Sequence, residues 1–119
     1  MNLQEYKIEA KRTCPSLGKN SDDLIHMSLG MQTECAEIAD VFKKKLAYNK
    51  DIDWVNVKEE VGDLMWYIVN LCTFNEWNLE DILDTNIAKL RVRFPDKFTT
   101  ENAITRDLVS ERKTLEDGR

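Results

Sequence analysis

The chain carries two pairs of acids with the same short spacing. Glu34 and Glu37 form one pair, and Glu60 and Asp63 form the other. Side chains three residues apart lie on one face of an α-helix, so each pair points in one direction if its segment is helical. Carboxylate oxygens are the ligands that Mg²⁺ prefers, although single pairs of this kind are more often ordinary exposed residues. The spacing alone leaves both alternatives open.

Both pairs take the same position beside an apolar stripe. At ~100° per residue, Glu37 lies about 60° to one side of Glu34, and the stripe of that helix lies about 50° to the other side. In the segment of the second pair, Asp63 likewise lies about 60° to one side of Glu60, and the apolar stripe of that helix lies about 60° to the other side. If the two helices pack antiparallel, four carboxylates converge on one partly buried spot, where a divalent cation offsets their repulsion. This matching phase favours a magnesium site with room for a polyphosphate. The stripes comprise Met27, Met31, Ile38 and Phe42, then Val57, Val61, Leu64, Ile68 and Leu71.

A third polar group follows the same rule but is cationic. The fourth predicted helix has its own apolar stripe, and three polar residues lie on the same side of it as the acids do of theirs. They are Asn86, Lys89 and Arg93. Acids that hold metal, faced by Lys and Arg, are the usual composition of a polyphosphate site. Two simpler explanations stay open, because Lys89 and Arg93 can extend from the core edge or pair with Glu80 and Asp84.

The remaining candidates are a histidine, aromatic residues and a run of lysines. His26 lies two turns before Glu34 on the acid-bearing flank, and Tyr67 lies one turn after Asp63, so both are candidates for contact with a base. The tryptophans either stack on a base or belong to the core. Lys43–Lys45 suit the end of a helix, and a role in reaching phosphates is a second explanation. His26 does not follow any Glu by three residues, which excludes a di-iron bundle.

The elements that must position these residues are helical throughout. Apolar residues recur at helical spacing, and only four Gly and two Pro leave few turns for a β fold. We predict an all-α, four-helix-type bundle. Its tail, residues 99–119, is a peripheral helix or a segment that orders against a partner. The predicted helices are Leu3–Lys11, a second whose apolar positions begin at Leu24 and that runs to about Tyr48, a third capped by Asp53 that stops near Trp77, and a fourth from Asn78 to near Phe94. Residues 20–23 supply an N-cap for the second helix, with acids in its first turn.

Length and charge narrow the class of protein. The 119 residues predict one domain, 1–119, with its motif core at 24–98. A net charge of −5 argues against general binding to nucleic acid. Three scattered cysteines suit a reducing compartment, and the longest apolar run, residues 64–69, is too short to cross a membrane. With no signal-peptide pattern at the start, we expect a cytoplasmic protein without membrane partners.

Three segments together resemble a known family. Gly30–Asp40 contains the first acid pair, Lys58–Tyr67 contains the second, and Asn86–Pro95 contains the cations. In this order they resemble the all-α nucleoside triphosphate pyrophosphohydrolases of the MazG type. The resemblance covers roughly residues 24–98. It implies hydrolysis of a nucleoside or deoxynucleoside triphosphate to the monophosphate and pyrophosphate, as a house-cleaning or pool-controlling activity.

The resemblance also implies roles for individual residues. Glu34, Glu37, Glu60 and Asp63 would be ligands of Mg²⁺, for which Mn²⁺ is a substitute. Glu37, with Glu34 beside it, would be the catalytic residue that orients or deprotonates the attacking water. Members of the family assemble as dimers or tetramers, so a homodimer or a dimer of dimers is expected. The expected phosphate contacts are Asn86, Lys89 and Arg93.

One departure keeps other functions open. The family's first motif often begins with two adjacent acids, but Thr33 stands at the first of these positions. A non-catalytic, metal-stabilised helical module that binds nucleotide or a protein partner is therefore the alternative, and a plain structural bundle is the third hypothesis. The sequence does not identify the base or the sugar of a substrate.

Overall fold

The computed structural model describes residues 1–118, and all of the regular structure in this range is helical. There are six helices and no strand among these residues, so the all-α prediction is confirmed, while the bundle arrangement stays a prediction. No helix of the described range is long and apolar enough to span a membrane. The helices are α1 (Leu3–Arg12), α2 (Asn20–Tyr48), α3 (Trp54–Phe74), α4 (Leu79–Arg93), α5 (Thr100–Ile104) and α6 (Leu108–Asp117).

The chain divides into two compact units. In the first, Met1–Trp77, α1 and α2 both pack against α3. In the second, which begins at Asn78, α4 packs against α6, so the tail forms helices. The prediction of one domain over the whole chain stays a prediction.

Helices α2 and α3 run antiparallel. Gly30 faces the ring of Tyr67 near the end of α3, whereas Phe42, further along α2, contacts Trp54 at the start of α3 with ring centroids 6.0 Å apart. Rising numbers on one helix thus meet falling numbers on the other. The short connector, residues 49–53, allows this arrangement because a tight helix–helix link favours antiparallel neighbours. This is the packing that the acid pairs require.

Two helix starts agree with the predicted caps. Asp53 Oδ1 accepts hydrogen bonds from the backbone N–H groups of Val55 at 3.1 Å and Asn56 at 3.2 Å. Asn78 Oδ1 accepts one from the N–H of Glu80 at 2.9 Å. Each bond satisfies a donor that the helix itself leaves free. The sequence therefore located the starts of α3 and α4 correctly.

The predicted cap of α2 is off by one residue, whereas the acids predicted in its first turn, Asp22 and Asp23, are present. Helix α2 already begins at Asn20, and Lys19 precedes it without a side-chain hydrogen bond to the helix. Asp23 lies inside the first turn, where its carboxylate accepts the backbone N–H of Leu17 at 2.8 Å and is 4% exposed. From within the first turn, Asp23 thus anchors the preceding loop.

The apolar core is small and does not follow every predicted stripe. Among residues 1–118, four apolar residues are buried, and they lie on α1, α2 and α3. Val61, predicted in the seam of α3, is 49% exposed, because α3 packs against two helices and buries residues beside that seam. Trp54 and Trp77 are at least half exposed, so neither belongs to the core. The buried apolar residues are Ala10, Met27, Val69 and Cys72.

Candidate functional site

Three of the four predicted carboxylates lie together. Glu34 and Glu37 of α2 and Glu60 of α3 each offer one oxygen, and these oxygens lie within 4.8 Å of one another. Antiparallel packing of α2 on α3 places them there, as the matching phase of the two helices indicated. Glu60 is 6% exposed, Glu34 is half-buried and Glu37 is exposed. The group therefore extends from the protein interior to the surface.

The proximity of these acids raises the affinity of Glu60 and Glu37 for protons. The pKa of Glu60 is raised, chiefly by the adjacent carboxyl group of Glu34 and then by burial. The pKa of Glu37 is raised, chiefly by the adjacent carboxyl group of Glu60 and its charge. Each carboxylate thus disfavours ionisation of its neighbour. A cation bound between the carboxylates would reduce this electrostatic repulsion.

Two oxygens of the group have no hydrogen-bond partner. Glu34 Oε2 and Glu60 Oε2 are both buried and unpartnered among the described residues. A buried carboxylate oxygen without a partner is costly, so such atoms indicate a ligand. Hard oxygen donors at this separation suit a divalent cation such as Mg²⁺. The donor set and the orphaned atoms therefore fit the predicted metal.

Asp63, the fourth predicted ligand, lies outside the group of three. It is exposed one turn further along α3, yet its negative charge contributes to the raised pKa of Glu37. It also contributes, after burial, to the raised pKa of Tyr6, whose hydroxyl donates to the carbonyl of Gly62 at 3.4 Å. Tyr6 is a neighbour that the sequence did not indicate, because only the packing of α1 against α3 brings it there.

His26 and Tyr67 contact each other. Their rings meet edge to face with centroids 6.2 Å apart, and Tyr67 also lies edge-on to Trp66 at 4.9 Å. Gly30 allows the Tyr67 ring to lie against the backbone of α2, because a Cβ atom at this position would overlap the ring. His26 Nδ1 is buried and has no hydrogen-bond partner among the described residues. The two candidate base contacts thus form one aromatic group with an unused polar atom.

A cleft of about 310 Å³ opens beside the carboxylates, between the C-terminal half of α2 and the connector. We call it the connector cleft. Glu37 and Glu60 line it together with Lys44 and Lys50. Lys44 Nζ lies 2.8 Å from Asp40 Oδ2, and hydrogen bonds from Lys44 and Lys43 lower the pKa of that carboxyl. Lys50 was not singled out by the sequence, because a lone lysine in a polar loop carries no periodic signal.

Arg93, one of the group of predicted phosphate contacts on α4, forms an ion pair with a buried acid of α6. Arg93 Nε donates to Glu111 Oε1 at 2.8 Å, and Arg106 donates to the other oxygen of Glu111. Glu111 is 3% exposed. Burial raises its pKa, but the two arginines outweigh burial and hold the pKa below the ordinary value. Arg93 is thus positioned by α6, a partner that was not predicted.

The two other residues of that group are less constrained. Asn86 is exposed, and Lys89 is partly exposed and forms no ion pair with the described residues. In residues 1–118, Glu80 and Asp84 form no ion pair with Lys89 or Arg93, so the predicted alternative of such pairs is wrong. The role of this group toward phosphate stays a prediction.

Thr33 stands at the position where the family often has an acid, and its hydroxyl forms no hydrogen bond with the three carboxylates in residues 1–118. Its hydroxyl donates to the carbonyl of Gly30 in the same helix at 2.9 Å. Such a bond back to the preceding turn is common for threonine in helices. Thr33 therefore adds no ligand to the group of three.

Comparisons with known proteins identify the family of the chain. Residues 24–98 match the MazG nucleotide pyrophosphohydrolase domain, the range over which the three motifs occur. A relative, the "Gene 37 protein" of Mycobacterium phage L5, is 31% identical over 104 residues, which cover 78% of this chain and 89% of the phage protein. That name states no activity. No solved structure matches the chain.

Proposed function

We propose, since the chain belongs to the MazG nucleotide pyrophosphohydrolase family, that it hydrolyses nucleoside or deoxynucleoside triphosphates to the monophosphate and pyrophosphate. The observation that carries this proposal is the convergence of Glu34, Glu37 and Glu60 with two buried, unpartnered oxygens. Family membership supports action on a nucleotide, and the carboxylates support a metal-dependent hydrolysis. Removal of non-standard triphosphates or control of the nucleotide pool is the proposed role.

The carboxylates would hold the metal. Glu34, Glu37 and Glu60 are the proposed ligands of Mg²⁺, with Asp63 as a fourth and Mn²⁺ as a substitute. A divalent ion, when bound, neutralises charge on the phosphate oxygens. Their burial gradient supports this assignment, because Glu60 anchors the site from the interior while Glu37 stays accessible to substrate.

The side chains would position and activate water. Glu37 is the proposed catalytic base, because it is the accessible member of the group and its raised pKa makes it a better proton acceptor. Glu34, whose own Oε2 atom is unpartnered among the described residues, is the second proposed catalytic residue. Asn86, Lys89 and Arg93 would hold phosphate oxygens. Attack in line at phosphorus needs mainly positioning and charge neutralisation, which such residues supply without a covalent intermediate.

The base would contact His26 and Tyr67. Their rings lie together on the α2–α3 pair, and His26 Nδ1 is a buried polar atom in want of a partner. A nucleobase has polar groups along its edge that can bond to the histidine nitrogen, and an aromatic face that can pack against the tyrosine ring. This assignment leaves the identity of the base open.

A homodimer or a dimer of dimers is the proposed assembly. Leu46, Tyr48 and Val55 are between 76% and 89% exposed near the connector, and large apolar residues of α4 are also exposed. Soluble proteins seldom leave so much apolar surface in water. Analytical ultracentrifugation across a range of protein concentrations would measure the assembly, and a monomer at all concentrations would contradict it.

The direct test is a product analysis. Purified protein is incubated with Mg²⁺ and a panel of ribo-, deoxyribo- and oxidised nucleoside triphosphates, and products are separated by anion-exchange chromatography. We expect monophosphate and pyrophosphate in equal amounts, and none after removal of metal with EDTA. Release of inorganic phosphate and a diphosphate would contradict the proposal, because a different bond would then be cut.

One observation favours the non-catalytic alternative. Thr33 leaves the site without the additional acid that related sequences often carry, and its hydroxyl is engaged within its own helix. A module that only binds nucleotide or a partner would be stabilised by Mg²⁺ yet consume no triphosphate. The product analysis separates the two functions.

A further inference from the structure

The connector cleft extends the carboxylate site toward the link between α2 and α3. We infer, on the basis of the proposed function, that this cleft receives the pyrophosphate end of the substrate as its Mg²⁺ complex, with Lys50 and Lys44 as its cationic contacts. The inference assigns a direction to the bound triphosphate and a role to two lysines outside the three motifs. It also makes the cleft the product site for pyrophosphate.

Glu60 connects the cleft to the carboxylates. It belongs to the group of three and also lines the cleft. Its side chain is 6% exposed, and Oε2 has no hydrogen-bond partner among the described residues. A buried, unpartnered oxygen at the wall of a cleft indicates a ligand on the cleft side. A cation bound there can therefore also contact a phosphate in the cleft.

The lysines suit the end of a triphosphate that carries most charge. Lys44 is held by Asp40 at 2.8 Å, and this contact raises the pKa of the ammonium, so it stays charged. Lys50 forms no ion pair with the described residues, so its ammonium group keeps its capacity for an anion. Lysine binds phosphate as a flexible point charge.

The charge of the cleft explains why the ligand enters with metal. Its lining contains five acids and two lysines. Lysines neutralise Asp40, but four carboxylates still face Lys50, because the backbone bonds of the α3 cap leave the charge of Asp53 in place. The other three are those of Glu37, Glu60 and Asp51. A free polyphosphate would therefore be repelled, whereas divalent ions at the carboxylates reverse the balance. Pyrophosphate should bind only when Mg²⁺ is present.

The antiparallel pair gives the substrate its direction. Along α2, His26 precedes Glu34 by eight residues, or about 12 Å, while Lys44 follows Glu37 by seven, or about 10 Å. On α3 the order is reversed, with Asn56 on the connector side of Glu60 and Tyr67 on the other. The proposed base contacts and the lysines thus lie on opposite sides of the carboxylates. The bond to be cut lies between them.

The test measures binding of pyrophosphate as well as turnover. Wild type, Lys50→Ala and the control Lys58→Ala, an exposed lysine of α3 outside the cleft, are titrated with sodium pyrophosphate by calorimetry, with and without millimolar Mg²⁺. We expect Mg²⁺-dependent binding that weakens about tenfold in Lys50→Ala, the loss of one charged hydrogen bond. Lys58→Ala should stay within about twofold of wild type.

The same variants are assayed for product inhibition. In Lys50→Ala, inhibition by pyrophosphate should weaken as binding does, whereas inhibition by the nucleoside monophosphate should not change. Equal pyrophosphate affinity in the two variants, or binding that is unaffected by Mg²⁺, would overturn the inference even if nucleotide is hydrolysed. If no triphosphate is hydrolysed but Lys50→Ala still loses Mg²⁺-pyrophosphate binding, the proposed function fails and the assignment of the cleft stands.

Discussion

Glu34, Glu37 and Glu60 are chemically alike, but their environments differ. Glu60 is buried against α2, Glu34 is intermediate, and Glu37 reaches solvent. Burial and mutual repulsion raise the pKa of Glu60 and of Glu37, so the group resists carrying its full charge in the absence of a cation. At this scale, the exposure of each side chain supports the proposed anchoring role of Glu60 and the proposed proton-accepting role of Glu37.

Glu37→Gln should lower kcat by at least about 100-fold, because the amide cannot accept a proton from water. The exchange preserves size, so circular dichroism should show an unchanged helix content. Glu59→Gln is the matched control, since Glu59 is exposed next to Glu60 but outside the group. Its kcat should stay within about twofold. Full turnover in Glu37→Gln would remove the catalytic role.

Gly30→Ala should destabilise the protein by about 1–3 kcal/mol, because the added methyl group overlaps the Tyr67 ring and forces the helices apart. Gly62→Ala is the matched control in α3. It has open space around the new methyl group, so better helix propensity should stabilise it by about 0.5–1 kcal/mol. Urea denaturation measures both. Equal shifts of the same sign would contradict the close contact between Gly30 and Tyr67.

At the scale of elements, α6 is joined to α4 by a buried ion pair. Glu111 of α6 accepts from Arg93 of α4 and from Arg106 in the preceding loop. The tail is therefore part of the second unit's structure, and it orients an arginine that is proposed to bind phosphate. A buried carboxylate with two arginines is also sensitive to the removal of either partner.

The lowered pKa of Glu111 predicts a pH dependence of stability. The folded state binds this proton more weakly than the unfolded state, so the contribution is complete above the ordinary carboxyl pKa and is lost as pH falls through the lowered value. Glu111→Gln should therefore melt several degrees below wild type at neutral pH, and this difference should shrink in acid.

Melting temperatures across the pH range measure that difference. Glu116→Gln serves as control, because Glu116 pairs with Arg112 on the exposed side of the same helix and such pairs contribute little. Glu37 and Glu60 act in the opposite direction, since their raised pKa values favour the folded state as pH falls. Comparing variants with wild type at each pH separates the two effects. A constant difference at all pH values would contradict the assignment to Glu111.

At the scale of the whole molecule, binding of a metal at the proposed site would be linked to folding. Glu34 and Glu60 lie on different helices, so the arrangement that their unpartnered oxygens form exists only when α2 packs against α3. A cation that binds this arrangement but not the unfolded chain stabilises the fold by mass action. The small apolar core makes such a contribution a large share of the total stability.

Mg²⁺ should therefore raise the melting temperature. At a concentration about one hundred times Kd, binding adds about 2.7 kcal/mol to the free energy of unfolding. Glu60→Gln should respond much less, because it lacks the buried ligand. NaCl at equal ionic strength controls for screening. Equal responses to Mg²⁺ in wild type and Glu60→Gln would exclude the carboxylates as the cation site.

Local features of the sequence determined most of the secondary structure. The starts of α3 and α4 followed from Asp53 and Asn78 and the end of α4 from Pro95, because capping and proline geometry act within one helical turn. Helix α3 ends at Phe74, before the predicted stop near Trp77. The phase of the acid pairs likewise needed only the helical repeat, and it correctly brought Glu34 and Glu37 to Glu60. The cap of α2 was missed because Lys19 precedes this helix without a side-chain hydrogen bond, so no capping side chain marks the boundary.

Tertiary structure alone decided what surrounds those acids. The exclusion of Asp63 from the group, the cleft with Lys50, and the attachment of Arg93 to Glu111 all join residues on different elements or loops. Periodicity gives the direction of a side chain about its own helix, but not the depth, tilt or neighbours of that helix. Burial, unpartnered oxygens and shifted pKa values depend on these, so they emerge only once the helices are packed.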